Sequence, residues 1–137
     1  MRSARTAAIT CLLLAATALA ACSRAPVRTH SLYFAVQHAA LFADPDGRGA
    51  YVFELRSVRK VTELSVLRVS FERPGSKPFV RELTVRAGQR RFVVHTPAFE
   101  GFRPGQEYLI RVELIAPDRY HRLDNLRHRV TPVMAPG

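Results

Sequence analysis

From residue 31 onward, hydrophobic side chains recur at every second position. Leu32, Phe34 and Val36 alternate with Tyr33, Ala35 and Gln37, and Tyr51, Phe53 and Leu55 are separated by Val52 and Glu54. Leu67, Val69 and Phe71 flank Arg68 and Ser70. The clearest run sets Tyr108, Ile110, Val112 and Leu114 against Arg111 and Glu113. A period of two belongs to strands with one buried face. It predicts strands over 31–40, 50–58, 64–72, 79–85, 91–96, 107–116 and 127–133. Turn chemistry lies between several of them: Asp44-Pro45-Asp46-Gly47, Arg73-Pro74-Gly75-Ser76 and Ala87-Gly88. No apolar run has helical spacing, and 120–126 has room for one helical turn at most. The expected fold is all-β, a sandwich of about seven antiparallel strands.

The first thirty residues follow a different pattern. Arg2 and Arg5 precede an apolar run over 7–18. That run is too short for a membrane span of roughly 20 residues but has the form of a secretory signal peptide. It ends in Leu19-Ala20-Ala21-Cys22, which resembles the lipobox of bacterial lipoproteins at all four positions. The resemblance implies cleavage before Cys22, a thioether-linked diacylglycerol on its sulfur and acylation of the new amino group. Two or more acyl chains hold a protein on a bilayer where one does so only marginally. The expected organisation is a signal peptide over 1–21, a lipidated Cys22 and tether over 22–30, and a β-sandwich domain over 31–137. Ser23 in place of Asp favours, by the same resemblance, the periplasmic leaflet of the outer membrane. Cys11 and Cys22 are the only cysteines, so the mature domain has neither a disulfide nor a thiolate site.

Before the strongest strand stands Phe102-Arg103-Pro104-Gly105-Gln106-Glu107-Tyr108. Phe102, Pro104 and Tyr108 resemble the tyrosine corner of fibronectin type III and immunoglobulin-like domains. There the tyrosine hydroxyl bonds back to the loop backbone and locks the corner between two sheets. The resemblance implies an Ig-like or fibronectin III-like sandwich. The core Trp of those families is missing, with Tyr51 and Phe53 the candidates for its place. A transthyretin-like sandwich shares the same alternation.

Charge adds a direction. Lys and Arg total 21 against 11 Asp and Glu, a net charge of +10, and loss of Arg2 and Arg5 with the signal leaves +8. Such a surplus favours anionic partners. A periplasmic setting excludes nucleic acid and leaves lipid headgroups, cell-wall acids and proteins. Arg24 and Arg28 in the tether are candidates for headgroup contact. Arg119, Arg122, Arg127 and Arg129 form a candidate binding patch, with Arg86, Arg90 and Arg91 as a smaller group. The sequence contains no G-x-S-x-G, H-E-x-x-H or glycine-rich phosphate loop. His30, His38, His95, His121 and His128 are scattered without ligand spacing, and Asp44-Pro45-Asp46-Gly47 lacks the later ligands of a calcium loop. The expectation is a non-enzymatic protein with no metal and no cofactor beyond the lipid on Cys22. Its expected partners are the membrane, through that anchor, and an envelope protein. The function this points to is a protein-binding or structural adaptor of the cell envelope. The alternatives are an assembly or pilot lipoprotein of a secretion machine, or a binder of anionic cell-wall or lipid groups.

Overall fold

The computed structural model describes residues 31–134. The expected signal peptide, lipobox and tether lie outside the described residues. Eight strands follow in order: β1 (Phe34–Ala43), β2 (Gly49–Ser57), β3 (Val66–Arg73), β4 (Ser76–Thr84), β5 (Arg91–His95), β6 (Tyr108–Ile115), β7 (Arg122–Val130) and β8 (Pro132–Met134). They form two four-stranded sheets, ordered β5-β2-β1-β8 and β4-β3-β6-β7. The chain is an all-β sandwich, consistent with an immunoglobulin- or fibronectin III-like domain.

The alternation sets which side chains fill the space between the sheets. Tyr51, Phe53, Leu55, Phe92 and Leu41 face inward from one sheet, and Leu67, Val69, Phe71, Ile110, Leu114 and Leu126 from the other. Burying each large side chain contributes about 1.5–3 kcal/mol. Aromatic rings join the two layers. Tyr51 lies 5.0 Å from Phe71, and Phe53 meets Phe71 edge-on at 6.2 Å. The Tyr51 hydroxyl donates to the Glu72 carbonyl at 2.6 Å. Burial, together with the nearby Glu72 charge, pushes its pKa well above the usual phenol value.

Three expectations need correction. The last strand expected, 127–133, is two strands. β7 pairs antiparallel with β6, and after Thr131 the chain changes sheets so that β8 runs parallel to β1, with Val133 opposite Phe42. Pro132 has no N–H to continue a ladder and instead opens a new edge strand. The segment 120–126 forms no helical turn but joins β7 from Arg122. In β1 the register shifts between Val36 and His38, so the inward set changes to Leu41 and Ala43.

Strand directions divide the connections between two poles. At the proximal pole the described chain begins at Ser31, beside the connections 58–65, 85–90 and 116–121. At the distal pole lie 44–48, 74–75 and 96–107.

Candidate functional site: a basic proximal pole

The proximal connections are fixed to one another by backbone hydrogen bonds. Ser57 N–H donates to the Arg90 carbonyl at 2.8 Å, and Val58 N–H to the Tyr33 carbonyl at 2.7 Å. Leu64 N–H donates to the Val85 carbonyl and Val85 N–H to the Ser65 carbonyl, at 2.9 and 2.8 Å. Val61 points into the core. The tight turn before β5 closes with Gln89 N–H donating to the Arg86 carbonyl at 3.1 Å, and Gly88 supplies its positive φ of 71°. Between these walls is a cavity of about 280 Å³, lined by Ser57, Val58, Arg59, Lys60, Val61, Gly88, Gln89 and Arg90. Three of these side chains are cationic and none is acidic.

The whole pole shares this bias. Its connections carry Arg59, Lys60, Arg86, Arg90 and Arg119 against Glu63 and Asp118. The distal connections carry Arg48 and Arg103 against Asp44, Asp46, Glu100 and Glu107. The proximal connections therefore carry a net positive charge, whereas the acids of the distal connections are balanced by Arg48 and Arg103 and by Arg73, Lys77 and Arg129 at the adjoining strand ends. Large apolar side chains are exposed at the proximal pole too: Val58 by 59%, Leu32 and Leu64 by 62%, and Tyr120 by 90%.

In the 116–121 turn, Asp118 accepts from the backbone N–H groups of Tyr120 at 2.8 Å and His121 at 3.1 Å, and it pairs with the His121 ring. The Tyr120 amide, then these His121 contacts, hold the Asp118 carboxyl down at about 2. Arg119 in this turn has a φ of 66°.

The distal pole is built differently. Phe102 is buried against the Tyr108 ring at 4.9 Å, edge-on, and against Tyr51 at 5.7 Å. The Tyr108 hydroxyl accepts from Arg103 N–H at 2.8 Å. Pro104 lies between them in the 103–106 turn, where Gln106 N–H donates to the Arg103 carbonyl. Gly49 and Phe99 exchange two backbone hydrogen bonds of 2.8 Å, and Phe102 N–H donates to the Gly47 carbonyl at 2.9 Å. Asp44-Pro45-Asp46-Gly47 is a closed turn, with Asp44 Oδ1 accepting from Asp46 and Arg48 N–H at 3.0 Å.

The four arginines near the C-terminus are spread along the molecule. Arg119 and Arg122 lie at the proximal pole. Arg127 faces outward in mid-strand, directly across from Arg111. Arg129 is further on, paired with Glu107 at 3.4 Å. Seven residue steps along the strand separate Arg122 from Arg129, about 23 Å. Of the smaller group, Arg86 and Arg90 stay at the proximal pole, whereas Arg91 forks onto Glu54 at 2.6 and 3.2 Å. That hydrogen-bonded fork lowers the Glu54 pKa. Cys22 lies outside the described residues. Among the described residues, no three His, Cys, Asp or Glu side chains are placed to hold a metal ion. His128 faces the core, 6.5 Å from the Phe53 ring, and desolvation lowers its pKa.

Sequence reasoning found Arg86 and Arg90 but missed Arg59 and Lys60. Their signal was two adjacent cations bracketed by Val58 and Val61, just past a strand end. The outward face of β5-β2-β1-β8 was missed as well. There Phe42 stands between Val133 and Ala50, Ala40 beside Val52, and Val93 one row further on, opposite Glu54. Phe42, Val93 and Val133 are exposed.

No protein-family model matches the chain, and no curated protein matches its sequence.

Proposed function

We propose that this chain is a small lipid-anchored β-sandwich of a bacterial cell envelope, a non-enzymatic adaptor that holds a protein partner. Its place is the outer membrane, facing the periplasm, with Cys22 carrying the lipid. The anchor rests on the lipobox resemblance of Leu19-Ala20-Ala21-Cys22. The adaptor role rests on one structural observation: the outward apolar strip of Phe42, Val52, Val93 and Val133 on a two-sheet scaffold. Contiguous exposed apolar area on a soluble domain marks a contact surface for protein. The edges of this strip are polar: His38, His95 and the Arg91–Glu54 pair. That is the anatomy of a protein interface, with an apolar centre and a polar rim.

The test is crosslinking in intact cells with the full-length chain, the Phe42→Lys variant and the Cys22→Ala variant. The reading expects one or a few envelope proteins captured by the wild type, at least a tenfold loss with Phe42→Lys, and solubility changed only in Cys22→Ala. Capture unaffected by Phe42→Lys, or no specific capture at all, overturns the adaptor role. Mass spectrometry of the N-terminal peptide decides the lipid separately.

A further inference from the structure

We infer that the proximal pole is a membrane-docking surface, with the cavity between Arg59, Lys60 and Arg90 taking the phosphate of an anionic phospholipid headgroup. The inference rests on the anchored reading above for its orientation. It adds a second, non-covalent contact with the bilayer and fixes which end of the domain faces the lipid.

Two observations, and one consequence of the anchored reading, converge on this end. The first is the cavity itself. It is lined by three cations and no carboxylate, with the Ser57 and Gln89 side chains as further hydrogen-bonding groups. Arg and Lys side chains around a concavity with no acid to neutralise them match a phosphate ester, and the guanidinium fork suits two of its oxygens. The backbone of the walls is held by the Ser57–Arg90 and Val58–Tyr33 bonds, so the three side chains spring from fixed positions around one concavity.

The second is the exposed apolar set of Leu32, Val58, Leu64 and Tyr120, interleaved with those cations. Cations that meet headgroups beside aliphatic and aromatic side chains that enter the interface are the composition of a surface lying on a bilayer. A site for a soluble anion needs the cations alone. The distal connections expose no large apolar side chain among the described residues.

The third is reach. The described chain begins at this pole, and the eight residues from Ser23 to His30 extend about 26 Å at most. An acyl-anchored Cys22 keeps the pole within that distance of the headgroups. The excess of cations at the proximal pole then faces the anionic surface, while the far end, where acids and cations balance, points away from it. Each cation near such a surface contributes about 1 kcal/mol. The row of Val133, Phe42 and Ala50 lies toward the distal end of its sheet, which leaves it accessible for a protein.

The test uses the protein as the cell matures it, purified from the envelope. Backbone amide NMR shifts are followed on adding phosphatidylcholine bicelles, bicelles that also contain phosphatidylglycerol, or glycerol 3-phosphate. The expected result is phosphatidylglycerol-dependent shifts over 58–61 and 88–90, with none at Glu100 and Gly101. Neutralising the three cations (Arg59→Gln, Lys60→Gln, Arg90→Gln) weakens this response about a hundredfold, and added salt weakens it in the wild type. These side chains are exposed and the Ser57–Arg90 bond uses backbone atoms, so the variant keeps its fold. Equal shifts with phosphatidylcholine alone, or none at the pole, overturn the inference. Saturation by glycerol 3-phosphate at the same concentrations overturns the membrane as the source of the phosphate. An unmodified Cys22 with phosphatidylglycerol-dependent shifts refutes the anchor and leaves the site standing. A lipidated Cys22 without them does the reverse.

Discussion

The two poles of the sandwich solve opposite problems. At the distal pole the aromatic side chains turn inward: Phe102 is sealed between Tyr51 and Tyr108, and the Tyr108 hydroxyl holds Arg103 N–H. The 44–48 and 96–107 connections are stitched together by backbone hydrogen bonds. At the proximal pole the backbone is also fixed, yet Tyr120, Leu64, Leu32 and Val58 point into solvent beside an excess of cations. Exposed apolar area and unneutralised like charge both cost stability in water. Among the connections of the described residues both features occur at the proximal pole, whereas the distal connections turn their aromatic side chains into the fold.

Substitutions separate the two roles. The largest effect is expected from Phe102→Ala, which removes a buried ring from between two others and destabilises the domain by about 3–5 kcal/mol in denaturant unfolding. Gly47→Ala follows. Gly47 has a φ of 84°, and an added Cβ would stand 2.7 Å from the Phe102 carbonyl oxygen. Strain and overlap together cost about 2–3 kcal/mol. Tyr108→Phe keeps the ring but leaves Arg103 N–H without its acceptor, at about 1 kcal/mol. By contrast, Val58→Ser and Leu64→Ser at the proximal pole change stability by no more than about 0.5 kcal/mol. Distal variants that leave stability intact, or proximal ones that collapse it, would erase the distinction between the poles.

The sequence shows this contrast unevenly. Alternation along 50–58, 64–72 and 107–116 identifies β2, β3 and β6, because each has one buried and one outward face. β7 is harder to see. Its Arg122–Val130 segment is largely polar and buries Leu126 and Val130 well, with His128 partly inward. β8 is invisible to periodicity, since three residues cannot show a period and their place is set by pairing with β1. The same limit applies to sites. Arg119, Arg122, Arg127 and Arg129 are close in sequence, but an extended strand separates neighbours in sequence and spreads them along the molecule. Arg59 and Arg90 are thirty-one residues apart and meet only because the ends of β2 and the start of β5 pair, with Arg56 opposite Arg91. Short-range clustering exaggerates a patch on a strand and hides one made from loops.

The smallest expected effects are acid responses, and they fall in separate pH windows. His128 is half-buried beside Phe53, and this burial lowers its pKa below the ordinary 6.5. The unfolded chain then takes up the proton first, so stability is full above about pH 6.5 and declines as pH falls below it. Asp118 acts in the same sense but at lower pH. Its carboxyl, held at about 2 against an ordinary 3.8, supports the folded state at all pH values above that ordinary value. Its contribution is lost as pH falls from that value to about 2. Denaturant midpoints measured across pH should therefore lose a first increment as pH falls below about 6.5, removed by His128→Leu, and a second below about pH 4, removed by Asp118→Asn. The first reports the core. The second reports the proximal turn, where Asp118 is solvent-exposed, and added salt should diminish the part of it due to the His121 ion pair. A single acid transition insensitive to both substitutions would mean that core and proximal turn are not separately poised.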